Sequence, residues 1–386
     1  MNLKQILQLV LVFSFPMLVK AQELNPFHQN LANQVSSQNI LNNLTDFVGF
    51  GIKETGTAAQ ANALQWLVSK YQSWGYTQID QQAVNVFGEI GYNLIVTKTG
   101  TVYPDTYIIL DGHYDTINGV GANDNGSGTA VILEAARVLQ NIPTEYSIKF
   151  IHFTGEELGL IGSEHYVEDI AIPQGLDIKL VLNIDQVGGV GGEVNDQITC
   201  ERDESWPNSN NNQSAIVTNQ LSVLMEFYSG LDTQISFAYG SDYVPFQEAG
   251  YVITGLYESN ESPYTHSQYD TMDNMDPDFV FEVAKGTLGA MCFFAKAYEN
   301  MAVDDLGSIK TDIYPNPVTK FLNIRQSENS LLHFKLVNFS GEVLLTGGFS
   351  GKNTDLDLST IPNGVYLLNL IGENGSETHK VIVNHP

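Results

Sequence analysis

An α/β domain, with a sheet covered by helices, followed by a small β-sandwich is what the 386 residues predict. Three observations carry this reading. From Ile40 to about Asn300, apolar β-rich runs alternate with longer helix-like stretches. Three of those runs end directly in a polar cluster, and in open α/β sheets sites gather beyond the carboxyl ends of strands. After Asn300 the runs become brief and are punctuated by Pro, Gly and Asn turns, the spacing of a sandwich.

Taken in order, strands are expected at 107–110, 147–153, 180–184 and 252–256. Helices are expected at 129–139, where apolar residues recur at helical spacing, from near Leu160, at 215–228 and at 277–298. The last begins with Asp276 as a cap before Pro277 at the first helical position. In the second region, strands are expected at 321–324, 333–338, 342–346, 365–370 and 380–383. The resulting division is a signal peptide at 1–21, a first domain at 22–301, a linker at 302–311 and a β-sandwich at 312–386. The signal peptide rests on Lys4, the apolar stretch 6–19 and small or medium residues at Val19 and Ala21. That stretch is shorter than the ~18–20 residues a spanning helix needs, and Ser14 and Pro16 interrupt it, so a membrane-spanning chain is not expected.

Charge narrows the function. With 17 Lys+Arg against 44 Asp+Glu the formal balance is −27, and no basic run reverses it, which excludes a general nucleic-acid binder. Two cysteines allow at most one Cys200–Cys292 bond, so no disulfide framework holds the fold.

Five polar clusters could do chemistry. The first, Asp111-Gly112-His113-Tyr114-Asp115-Thr116, places an imidazole two residues from a carboxylate that can fix its tautomer. The second, from Gly121 to Gly128, sets Asp124 among glycines that permit a tight turn before a helix. The third, from Thr154 to Ser163, contains Glu156-Glu157, a pair whose burial requires a compensating cation or a held proton. One such glutamate can bind metal while the other relays a proton. Asn183-Ile184-Asp185 and the stretch from Tyr264 to Thr271, with His266 and Asp270, complete the set. Alone each is an ordinary polar loop; together they offer the histidine and carboxylate mixture that zinc takes in catalytic sites. Other histidines are not promoted: His152 reads as a packed strand residue, and His28, His165, His333, His379 and His385 as solvated. Trp206 could line a pocket or merely pack.

The motifs GHYDT, NDNGSG, GEELGLIGS, NID and HSQYDT, in that order, resemble the di-zinc exopeptidases of clan MH, the group of the secreted bacterial leucyl aminopeptidases. The likeness covers about Leu41 to Asn300. It implies a mixed, mostly parallel sheet covered by helices. It implies two zinc ions, one held by His113 and Asp185, the other by Glu157 and His266, with Asp124 bridging them. Glu156 would be the general base and acid that works on a water bridged by the two ions to cleave the N-terminal peptide bond of a peptide with a free amine. Asp115 would orient His113, and Asp270 would act comparably beside His266. Gly240-Ser241-Asp242 resembles the family's substrate-side element, with Asp242 in support and with Tyr239 and Ser241 as candidate substrate contacts. The chain departs from the pattern there, because the two cysteines that bracket this loop in some secreted members are absent.

The second region, with Tyr314-Pro315-Asn316-Pro317, Gly341-Glu342-Val343, Leu358 to Tyr366 and the closing His379 to Val383, resembles the type IX secretion sorting domain. That implies export through the periplasm to the surface or medium, the secretion machinery as a partner, and removal of the domain on export. Two alternatives stand beside the aminopeptidase. One is a glutaminyl-peptide cyclase of the same clan, which usually works with one zinc; the other is a non-catalytic surface-binding protein, for which a lost ligand would be expected.

Overall fold

The computed structural model describes residues 24–238, 240–299, 310–326, 330–338, 342–372 and 375–385. The expected signal peptide, most of the expected linker and Tyr239 lie outside these residues. The chain divides into two compact units, Met1–Glu299 and Asn300–Pro386.

In the first unit, α1 (Pro26–Ala32), α2 (Ser37–Gly49) and α3 (Ala58–Ser73) precede the sheet. Ser36 and Thr57 cap α2 and α3 by accepting from Asn39 N and Gln60 N. The sheet strands and remaining helices follow as β1 (Gln78–Val86), β2 (Glu89–Lys98), β3 (Tyr103–His113), α4 (Gly126–Leu139), β4 (Tyr146–Phe153), α5 (Ile161–Tyr166), β5 (Asp177–Ile184), β6 (Gln197–Arg202), α6 (Asn211–Tyr228), β7 (Asp232–Phe237), α7 (Tyr243–Glu248), β8 (Ile253–Glu258) and α8 (Pro277–Phe294). They form one eight-stranded sheet in the order β1-β2-β4-β3-β5-β8-β6-β7. Its centre, β4-β3-β5-β8, is parallel, and antiparallel pairs occur at β1-β2, β2-β4 and β6-β8. Mixed and mostly parallel is therefore the architecture.

Alternation along the strands sends successive side chains to two cores. Ile108 and Leu110 pack on the face covered by α4, α6 and α8, whereas Ile109, Ile151 and Val181 pack with Tyr166 and Phe246 on the other. Strand bounds are wider than the sequence reading, and β1, β2, β6 and β7 escaped it. β1 (QIDQQAVNV) and β7 (DTQISF) are sheet-edge strands with mostly polar residues, so no apolar run announces them. Cys200 lies in β6, and it and Cys292 are buried free thiols. α8 begins at the expected proline, capped by Asp276, but ends at Phe294.

The second unit is all β: β9 (Thr311–Tyr314), β10 (Phe321–Gln326), β11 (Leu331–Val337), β12 (Val343–Ser350), β13 (Asn353–Asp357), β14 (Gly364–Gly372) and β15 (Gly375–Val383). A sheet β13-β10-β9 and a sheet β12-β11-β14-β15, both antiparallel, enclose one apolar core containing Leu322, Ile324, Leu336, Leu368 and Leu370. No helix among the described residues is long and apolar enough to cross a membrane.

Candidate metal centre

The site assembles at the carboxyl ends of the parallel strands. β3 ends at His113, β4 leads into Thr154 and the two glutamates, and β5 ends at Ile184 before Asp185. Asp124 sits in the turn ahead of α4, which starts at Gly126, earlier than periodicity suggests, because the Asn125 side chain accepts from Gly128 N. Gly128 belongs there for space: a Cβ would lie 2.4 Å from Ile184 O and 2.3 Å from Asn125 Oδ1. The same holds at Gly162, where a Cβ would lie 2.0 Å from Thr154 O.

Two triads share one residue. His113 Nε2 stands 3.1 Å from Asp124 Oδ1 and 3.2 Å from Asp185 Oδ1. His266 Nε2 stands 3.0 Å from Asp124 Oδ2 and 2.9 Å from Glu157 Oε2. Within each triad the donor atoms lie within 4.8 Å of one another. Glu156 Oε2 is 3.8 Å from His113 Nε2. All five expected ligands and Glu156 therefore come together, although they arise from five separate stretches of chain. Asp124, Glu156, Glu157, Asp185 and His266 line an open cleft of about 300 Å³ with Leu160, Gln186 and Gly240, and His113 is buried behind them.

The electrostatics suit a cation. Burial raises Glu156 well above the ordinary carboxyl range, with Asp185 and Asp242 pushing the same way. Burial likewise lifts Glu157 to about 7. Burial opposes charge on His113, yet Glu156, Asp185 and Asp124 hold its pKa well above normal; Asp124 and Glu157 push His266 up to about 10. Asp124, which burial would raise, is held at about 2 by the two imidazoles. Both imidazoles thus carry protons only because carboxylates crowd them. Asp124 Oδ2 is buried and makes no aligned hydrogen bond despite the nearby imidazole. Imidazole nitrogens and carboxylate oxygens aimed at common points fit divalent transition metals, which would displace those protons.

The supporting residues meet expectation only in part. Asp115 meets His113 through its backbone carbonyl, 3.1 Å from Nδ1, while its carboxylate lies 3.8 Å away and accepts from Glu156 N. Among the described residues Asp270 turns to backbone N–H groups rather than to His266. It accepts from Asn123 N at 2.8 Å and Asp124 N at 3.0 Å, holding the turn that carries the shared carboxylate. Ser241, expected at the substrate, is buried and donates to Asp185 Oδ2 at 2.7 Å, steadied by Asn183. Asp242 is fully buried, and burial raises it to about 7. Three histidines thought solvated are fastened instead: His28 is buried against Ala297 O, His379 meets Thr311 and Glu377, and His385 meets Thr319 O and Ile361 O. His152 is packed in its strand against the Tyr71 hydroxyl, as read. Trp206 is 81% exposed at the rim of a different cavity.

The profile of Peptidase family M28 matches residues 93–291. The chain belongs to peptidase family M28. A second profile, the secretion system C-terminal sorting domain, matches residues 312–384, and the chain is an exported protein, destined for the surface or the medium. Among curated relatives of this M28 chain, aminopeptidase YwaD of Bacillus subtilis is 34% identical over 182 residues, 46% of this chain and 38% of that protein. A probable leucine aminopeptidase of Trichophyton verrucosum is 28% identical, covering 72% of this chain and 78% of its own. The chain thus spans well under half of the length of the Bacillus relative. In fold it resembles the Legionella pneumophila LapA aminopeptidase (TM-score 0.63, 23% identity, 75% of this chain and 80% of that one). It also resembles a zinc aminopeptidase from Bacillus subtilis (TM-score 0.59, 16% identity, 73% and 98%).

Proposed function

We propose that the first unit is a metallo-aminopeptidase that holds two zinc ions and removes N-terminal residues from peptides outside the cell. The observation that carries this is the pair of triads sharing Asp124, with Glu156 beside them in an open cleft. His113 and Asp185 would hold one ion, Glu157 and His266 the other, and Asp124 both. Zinc is supported by the donor set and by the relatives named as a zinc aminopeptidase and a probable zinc metalloprotease. Bound there, the metal pair supplies Lewis acidity, which acidifies a water and polarises the scissile carbonyl.

The chain's own residues do the rest. Glu156 has the raised pKa of a group that can take a proton from the attacking water and return it to the leaving amine. The Asp115 carboxylate holds the Glu156 backbone in place. Ser241 fixes the Asp185 oxygen that faces away from His113, and Asp270 fixes Asp124. A cleft walled by carboxylates favours a substrate that brings a positive charge, as a free α-amine does. The second unit would engage the secretion machinery.

The test is a panel of aminoacyl-arylamides and N-blocked peptides assayed on one preparation whose metal content is measured. Cleavage confined to free amino termini with two zinc ions per chain is expected. Equal cleavage of blocked peptides would overturn the exopeptidase reading, and one zinc with cyclisation of N-terminal Gln would replace it with a cyclase.

A further inference from the structure

Glu258 closes β8 and is 1% exposed, yet no sequence motif singled it out. Its carboxylate receives only N–H donors. Asn123 Nδ2 lies 2.9 Å from Oε1 and 3.0 Å from Oε2, Gly189 N lies 2.6 Å from Oε2, and Ser262 N lies 2.7 Å from Oε1. Those donors belong to three segments. Asn123 precedes Asp124, Gly189 lies four residues beyond Asp185, and Ser262 lies four residues before His266. Asn123 extends the clamp, since its Oδ1 accepts from Gly188 N at 2.7 Å and its carbonyl from Ser127 Oγ at 2.6 Å. Ser127 Oγ in turn accepts from Val187 N at 2.9 Å. A Cβ on Gly188 would lie 2.5 Å from Asn123 Oδ1, so the close approach requires glycine.

A buried carboxylate saturated with N–H donors is stable in one geometry, because releasing any donor leaves a buried polar group unpaired. We propose that Glu258 is a positioning residue of the metal centre, which sets the spacing of Asp124, Asp185 and His266 by clamping the backbone on which each is carried. This rests on the two-metal reading above. Glutamine is the matched probe. It keeps the volume, but in either orientation its amide NH₂ opposes a backbone N–H, that of Gly189 or of Ser262.

The experiment measures Zn²⁺ affinity by competition with a chromophoric chelator, and the melting temperature of metal-free protein, for the wild type and five variants. Glu258→Gln is expected to weaken zinc binding roughly ten- to a hundredfold, the range seen when outer partners of metal ligands are removed. Asn123→Ala is expected to do likewise, and the double variant to lose no more than the worse single one, because the two act through one clamp. Glu134→Gln removes an equally buried carboxylate that holds only Ser36, Asn39 and Arg137. It should lower the melting temperature and leave zinc affinity unchanged. His113→Ala tests the metal centre itself. Zinc binding lost in His113→Ala but kept within twofold of wild type in Glu258→Gln, or in Asn123→Ala if the glutamine variant does not fold, overturns the positioning role alone. Zinc binding unchanged in His113→Ala overturns the metal-centre reading instead.

Discussion

The first unit buries Asp111, His113, Asp115, Asp124, Glu134, Glu201, Asp242 and Glu258 among its apolar residues, whereas the described residues of the second bury only Thr311 and Gln326 beside a wholly apolar core. Buried charge is costly unless it is paired or neutralised. Part of that charge gathers at the carboxyl ends of β3 and β8 and in the turn before α4, around the cleft. The described residues of the sandwich hold no such cluster, which suits a module recognised by its surface. Chemistry and address are therefore separated along the chain.

The sharpest way to break that contrast is Glu156→Gln. It is expected to lower kcat about 10²–10⁴-fold, the usual worth of a positioned acid and base, with the melting temperature unchanged. Steady-state kinetics beside calorimetry would show it, and a retained rate would remove Glu156 from the mechanism. Next in size is metal removal. Stripping an ion present at about a thousand times its Kd withdraws roughly 4 kcal/mol from the unit that binds it. The transition of the first unit should fall in chelator while that of the sandwich stays put; a fall in both would end the separation argued above.

The reverse experiment cuts the fully buried Leu336 of β11 to alanine. Core truncations of this kind cost about 2–5 kcal/mol. The sandwich should lose that stability while peptidase activity stays within twofold.

The most gradual effect is that of pH. Burial pushes His152 down to about 3, so it stays neutral in the folded unit while the unfolded chain takes up a proton below about 6.5. The unfolded state then binds more protons, and stability falls as pH drops from about 6.5 towards 3, by at most about 1.4 kcal/mol per pH unit from this group. It is fully present above 6.5. Urea melts of the metal-free first unit at several pH values, compared with a His152→Gln variant that should lack the dependence, would measure it.

Much of the candidate site was legible because its candidate ligands sit in compact motifs, most of them at strand ends, where residue type and spacing report chemistry directly. The supporting residues were not. Asp115 and Asp270 follow their histidines closely in sequence, and the natural inference was that each orients its neighbour. In the fold both carboxylates turn to backbone N–H groups elsewhere, Glu156 N for one and Asn123 N with Asp124 N for the other. His28 shows the same limit: its partner lies 269 residues away.

What the sequence determined by itself was the class of each unit, the family, the five candidate ligands and Glu156. Hydrophobic period, turn residues and local donor chemistry are properties of short windows. Only the tertiary structure decided which oxygen meets which nitrogen, that Ser241 braces Asp185, and that Glu258 ties three ligand-bearing segments together. Those are distances between segments far apart in the chain, and they are set by how the sheet stacks its strand ends.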